Sequence, residues 1–319
     1  MNILICSAGR RVKLVEYFKQ ELHKIDGKVV AIDCSLSAPA LHHADIYEVV
    51  PRIEHPNYLQ CLKDLCHKYK IKGVLSLIDP ELELLASWKE EFEEIGVHVI
   101  LSNRNTVELC FDKYRTYSAL RAKGIPIVPT YLSIKEVIDD VKSKKIQFPL
   151  IAKPRKGSAS LDIHKITSLI ELEKFNDLFD DYVVQPFING EEYGVDCYVD
   201  LLSQKLTNVF MKRKIAMRAG ETDKSIAIKD YELQQIIEKL INNVEFLGPI
   251  DIDCFKTNSG YIVSEINPRF GGGYPHAHEV GHNFIWNIIN NLKGKSNENE
   301  KVNYKEGSVM VKYDQLIIL

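Results

Sequence analysis

Apolar residues along the chain follow two periods, and their order predicts the fold. Residues 2–6 are a short apolar run, 12–24 repeat apolar positions at helical spacing, and 28–32 are a second run ending at Asp33. The chain therefore opens strand, helix, strand. Helical spacing returns at 57–70 and 80–95, strand-like runs lie at 73–78 and 97–101, and Asp79-Pro80 and Ser102-Asn103 read as breaks. This alternation predicts a parallel sheet covered by helices over the first hundred residues.

Near residue 105 the pattern changes. Helices are expected at 112–123 and 133–145, and a strand from Phe148 to Lys153 runs into the polar loop 154–160. A helix near 168–179, strands near 182–188, 193–200 and 206–212, and a helix at 230–244 follow. A hairpin at 250–266, a helix at 277–292 and a strand near 308–313 complete the chain, with Lys295 to Lys301 as a surface loop. Strict alternation is lost, so the second half reads as α+β. The expected fold class is α/β, with a Rossmann-like parallel-sheet domain over 1–105 and an α+β domain over 106–319.

Composition narrows the function. The 319 residues include 41 Lys plus Arg against 44 Asp plus Glu, a formal charge of −3. Such an even balance lacks the concentrated basic excess that phosphate-backbone binding needs, so no nucleic acid partner is expected. No stretch approaches the roughly 18 apolar residues of a membrane span, and the N-terminus lacks a signal-peptide pattern, so the expected location is cytoplasmic. Seven scattered cysteines without a Cys-x-x-Cys pair argue against a disulfide frame or zinc knuckle. Cys6, Cys34, Cys197 and Cys254 lie in apolar runs and are expected to be small buried residues.

The opening strand–turn–helix invites a dinucleotide reading, with Asp33 where a ribose-binding acid could sit. The glycines do not support it. With Gly9 as the middle glycine of the fingerprint, Ser7 and Val12 fill the outer positions. Asp33 then reads as a strand-end turn residue, and Arg10 and Arg11, near a helix N-terminus, remain candidates for an anionic substrate.

The segment 248–269 carries the chemistry. Asn258-Ser259-Gly260 reads as a three-residue hairpin loop pairing Thr257 with Tyr261, and counting outward sets Asp253 opposite Glu265. Facing carboxylates about 4.5–5.5 Å apart at Cβ repel, so a positive charge is expected between them. Asn267 shares the face of Glu265. Two carboxylates and an amide are hard oxygen ligands, suited to Mg²⁺ completed by waters and phosphate oxygens rather than to zinc. The alternative is a hairpin whose acids face water.

Asp253 with Glu265-Ile266-Asn267-Pro268-Arg269 resembles the metal-binding signature of the ATP-grasp ligases, in particular the carbamoyl-phosphate-synthase-like branch. The resemblance runs in order along nearly the whole chain. It includes Asp112-Lys113-Tyr114, Gly124-Ile125-Pro126, Lys153 with the loop to Ser160, and Val184-Gln185-Pro186-Phe187-Ile188 followed by Gly190-Glu191-Glu192. It implies a pre-ATP-grasp N-terminal domain and a two-lobed ATP-grasp domain, with a mobile lid lobe over about 125–184 and a metal-binding lobe over about 185–319.

By this resemblance Lys113 and Lys153 reach the phosphates of ATP, and Gly157 and Ser158 belong to a loop closing over them. Gln185, Pro186, Phe187 and Ile188 form the adenine hinge. Glu192 is the ribose ligand, with Glu191 its competitor. Asp253, Glu265 and Asn267 hold Mg²⁺, or Mn²⁺ in its place, and Arg269 steadies the transferred phosphoryl group. The implied activity joins a small carboxylate to an amine through an acyl-phosphate, with ATP as the partner nucleotide and a homodimer as the expected assembly. A nucleotide-binding sensor that keeps the fold without ligase chemistry is the alternative. Gly271-Gly272-Gly273 permits close backbone approach. His276 and His278 look like a metal pair but read better as loop or substrate-pocket residues. Lys212-Arg213-Lys214 and Arg218 with Glu221 face either substrate or solvent.

Overall fold

The computed structural model describes residues 1–157, 162–175, 181–299 and 302–319. The first unit contains β1 (Asn2–Cys6), α1 (Val12–His23), β2 (Lys28–Asp33), β3 (Ile46–Val49), α2 (Tyr58–Lys68), β4 (Ile71–Ser76), α3 (Asp79–Ser87), α4 (Lys89–Glu94) and β5 (His98–Val99). Its five strands are all parallel in the order β3-β2-β1-β4-β5, as the alternation predicts. The single helix expected at 80–95 is two, α3 and α4, meeting at Trp88.

Next come α5 (Arg104–Phe111), α6 (Lys113–Ala122) and α7 (Ile134–Lys142), each begun by a side chain that caps its first N–H groups: Asn103, Asp112 and Ser133. A three-stranded antiparallel sheet follows, built from β6 (Leu150–Pro154), β7 (His164–Ile166) and β8 (Tyr182–Pro186) in the order β7-β6-β8. α8 (Leu169–Glu173) packs on it, and residues 176–180, where the expected helix would end, lie outside the described residues.

The last unit is a six-stranded antiparallel sheet, β13-β12-β9-β10-β11-β14. It comprises β9 (Glu191–Val199), β10 (Leu206–Arg218), β11 (Glu221–Ile228), β12 (Gly248–Thr257), β13 (Gly260–Asn267) and β14 (Val309–Val311). α9 (Tyr231–Ile241) covers one face, and α10 (Tyr274–Glu279) and α11 (Phe284–Leu292) the other. The helix expected at 277–292 is broken by Gly281, which holds φ +106°. β10 runs six residues past its expected end, and β11 was not expected at all.

Three cores lie beside the small one inside the three-stranded lobe. One of them joins the two ends of the chain, since Phe18 and Leu22 of α1 pack with Phe210, Phe284 and Ile288. The parallel-sheet unit is therefore fixed to the six-stranded sheet by shared apolar burial. The small lobe has a core of its own, and the cleft lies between it and the large sheet. Cys34 is exposed, contrary to expectation, because it lies just past the end of β2. The 295–301 loop is not wholly at the surface either, as Asn297 is buried against Asp200 and Asn287. Among the described residues no helix is long and apolar enough to cross a membrane.

Candidate active site

On β12 the alternation is regular. Ile250, Ile252 and Cys254 enter the core, while Asp251, Asp253 and Phe255 face the cleft. On β13 Tyr261 and Val263 also enter that core, and unbroken alternation would carry Glu265 and Asn267 in after them. The register prevents this. Cys254 pairs with Val263 but Asp253 with Glu265, which leaves Ser264 as an extra residue, a bulge. Ile266 then takes the core position, and Glu265 and Asn267 stand opposite Asp253 and Asp251. The loop is Asn258-Ser259 and Thr257 pairs with Gly260, so the expected three-residue turn is wrong by one. The expected Asp253–Glu265 pairing holds because the shorter turn and the bulge cancel.

Pairing with β9 separates the two neighbouring glutamates. Glu192 lies opposite Phe255 on the cleft side. Glu191 points the other way, accepting from Tyr193 Oη at 2.9 Å and Arg213 Nη1 at 3.0 Å. The basic run on β10 divides likewise. Lys212 is buried in an ion pair with Asp196, and Arg213 leaves with Glu191. Lys214 Nζ lies 2.6 Å from Glu192 Oε1 and 2.7 Å from Asp253 Oδ1. Burial disfavours the Lys214 ammonium, but Asp253 and Glu192 outweigh it and hold its pKa above the usual lysine value. Lys214 thus sets positive charge between Asp253 and Glu192 rather than between Asp253 and Glu265.

These groups line a cleft of about 750 Å³. Lys153, near the end of β6, reaches it beside Gln185, Pro186, Phe187 and Ile188. Gln185 is buried and donates to Thr130 Oγ1 at 2.8 Å. Lys113 is not among the residues lining this cleft, and its Nζ donates to the carbonyl of Gly157 at 2.8 Å. Asp112 sets this corner, capping α6 and pairing with Arg155 at 2.7 Å. Burial lowers the pKa of both Lys113 and Lys153, and Glu265 opposes the shift in each. Ser158 lies outside the described residues.

Arg269 enters the cleft wall with its guanidinium on Asp79, at 2.9 Å from Nε and 2.8 Å from Nη2, and Nη2 is also 3.3 Å from Asn267 Oδ1. The far end is lined by Arg10, Arg11, Glu221, Thr222, Asp251 and Gly272. Glu221 holds Arg10 at 3.2 Å and Lys312 at 3.4 Å, and β10 and β11 bring it there from a hairpin turning at Ala219-Gly220. The triple glycine has a use at each position. A Cβ on Gly271 would lie 2.4 Å from the Asp251 carboxylate, one on Gly272 2.8 Å from Glu221, and one on Gly273 2.5 Å from Lys212.

Other candidates are not gathered here. Arg218 pairs with Asp223 and Asp314. His276 is buried against Ser225, and His278 stacks on Tyr17 with ring centroids 3.8 Å apart, so the two histidines share no ligand site. Asp33 is a turn residue, as expected, accepting from the backbone of Gly9 and Ser35. Asp79 and Asp251 were missed by the sequence reading. Asp251 had a signal, since it lies two residues before Asp253 on the same strand face.

The family signature described as an ATP-grasp domain matches residues 110–273, more than half of the chain. The chain belongs to the ATP-grasp family. Residues 3–100 match the PylC-like N-terminal domain. Among relatives, a carbamoyl-phosphate synthase of Methanobrevibacter smithii is 31% identical over 145 residues, covering 44% of this chain but 39% of that protein. The glutamate–LysW ligase ArgX of Sulfolobus acidocaldarius is 29% identical over 198 residues, 56% of this chain and 68% of the ligase. In fold, this ATP-grasp chain resembles the biotin carboxylase domain of Hydrogenobacter thermophilus 2-oxoglutarate carboxylase, solved with MgADP, ADP and bicarbonate. The TM-score is 0.76 at 17% identity, over 97% of this chain and 73% of that one.

Proposed function

We propose that the chain is an ATP-dependent carboxylate–amine ligase. The acid's carboxylate attacks the γ-phosphorus of ATP, releasing ADP and leaving an acyl-phosphate. The amine then attacks the acyl carbon, loses a proton, and phosphate departs. No protein nucleophile is required, so catalysis is positioning and charge neutralisation. Lys113 and Lys153 bind phosphate oxygens, residues 185–188 hold the adenine, and Glu192 binds the ribose hydroxyls. The lobe over about 125–184 closes on the nucleotide, and Arg269 stands by the transferred group.

The donor set suits Mg²⁺ or Mn²⁺. Asp253, Glu265 and Asn267 offer oxygen only, and buried Asp253 Oδ1 takes no hydrogen bond of good geometry despite its ion pair with Lys214. Among the described residues no three His, Cys, Asp or Glu side chains form a metal-binding group, so phosphate and water oxygens would complete the shell. The ion would neutralise the phosphates during transfer. Work in the cytoplasm, as a homodimer, is part of the same reading.

The observation that carries this reading is the bulge at Ser264, which turns Glu265 and Asn267 out of the core toward Asp253 and Lys153 in one cleft. The test is phosphate release with MgATP and pooled carboxylates, amino acids and amines. Stimulation by a pool, lost in a folded Glu265→Gln variant, is the expected result. Near-normal ADP formation in that variant would remove the metal argument, and no stimulation by any pool would favour the sensor reading.

A further inference from the structure

Two charged groups at the far end of the cleft are left without partners of their own. Arg11 is largely covered, at 19% side-chain exposure, yet among the described residues its guanidinium makes no side-chain hydrogen bond. Its ion-pair partner, Glu221, is 3.3 Å from Nε without hydrogen-bond geometry, and Arg10 and Lys312 already serve that carboxylate. Asp251 also lines the cleft, and among the described residues its carboxylate takes neither a hydrogen bond nor an ion pair.

The two groups act on one another electrostatically but do not bond. Consecutive glycines lie beside them: a Cβ on Gly271 would strike the Asp251 carboxylate and one on Gly272 would come within 3.0 Å of Arg11 Nη1. A strip of bare backbone therefore adjoins a guanidinium with no hydrogen-bonded partner and a carboxyl group with none. An idle guanidinium fork matches a carboxylate, and an idle carboxylate matches an ammonium. Polar groups left without hydrogen bonds in a partly covered chamber are costly unless a ligand completes them.

We propose that this end of the cleft binds a small zwitterion, an amino acid, with its carboxylate on Arg11 and its ammonium on Asp251. The inference rests on the ligase reading for its place in the reaction, as one of the two substrates to be joined. A molecule with only one of the charged groups would leave either Arg11 or Asp251 unpaired, which is the basis of selection.

The test reads binding rather than turnover. Each of the twenty standard amino acids, and the D enantiomer of every chiral one, is titrated calorimetrically into the full chain with Mg²⁺ and a non-hydrolysable ATP analogue. Each ligand found is then compared with its decarboxylated amine and its deaminated acid. The expected result is at least one amino acid bound, with loss of either group weakening it about tenfold or more. Arg11→Gln should erase the preference over the amine and Asp251→Asn the preference over the acid, both with unchanged affinity for the ATP analogue. The proposal is overturned if no amino acid binds, or if a bound one has no advantage over either analogue. It is equally overturned if Asp251→Asn weakens the nucleotide rather than the amino acid. The comparison of analogues on the unmodified protein stands even if a variant fails to fold. Failure of the ligase reading looks different: the zwitterion preference persists, but no mixture yields ADP.

Discussion

Arg269 clasps Asp79 through both carboxylate oxygens, at 2.9 and 2.8 Å, and so ties the segment after β13 to the start of α3 in the parallel-sheet unit. Both side chains are largely buried, at 11% and 8% exposure. Removing one charge strands the other. Asp79→Asn should therefore cost about 3 kcal/mol of stability and lower kcat more than the KM for ATP. The double variant with Arg269→Gln should cost less than the sum of the singles in a thermal-unfolding cycle.

The bulge at Ser264 gives a second test. Deleting Ser264 would remove the extra residue, so that Glu265 follows Val263 directly and regular alternation still places Glu265 and Asn267 on the cleft face with Ile266 in the core. No polar group is moved inward. Soluble, folded protein is expected from the deletion, and an unfolded product would contradict this register. Ser264→Ala should stay within about 0.5 kcal/mol of the parent, by chemical denaturation.

Strand register also distinguishes the two adjacent glutamates. Glu192→Gln should weaken ATP binding about tenfold, measured by calorimetry, because this acid faces the cleft. Glu191→Gln touches only an exposed bond to Arg213 and a partly buried one to Tyr193, and should leave ATP affinity unchanged. Equal losses in the two variants would contradict the assignment of faces.

His276 and His282 are buried, and burial lowers each from the usual 6.5 to about 4. A depressed folded-state value means the unfolded chain binds protons first on acidification. Their contribution to stability is complete above pH 6.5 and is lost as the pH falls toward 4. The free energy of unfolding should drop between pH 7 and pH 4.5 by about 2–3 kcal/mol for each histidine, read as a falling thermal midpoint, and His276→Asn should flatten part of that drop.

Much of this was readable from the amino acids, and the failures have physical causes. The parallel unit was plain because its strands are continuous apolar runs. β11 and the end of β10 were not, because Arg213 to Ile226 are mostly charged or polar, and pairing with neighbours rather than an apolar period makes them strands. The turn was misread, although the buried positions step from 261 and 263 to 266, a change of parity that marks the bulge. Asp79 read only as a break, since a partner 190 residues away leaves no local pattern.

The row Gly271-Gly272-Gly273 bears on any attempt to redirect the proposed activity to new substrates. Each position is flush with a charged side chain, so a library randomised there would mostly return collapsed proteins rather than altered preferences. Gly9 has the positive φ of +51° that disfavours other residues, though little stands around it. Thr222 and Met217, which carry side chains already facing the chamber, are the better places to begin diversification.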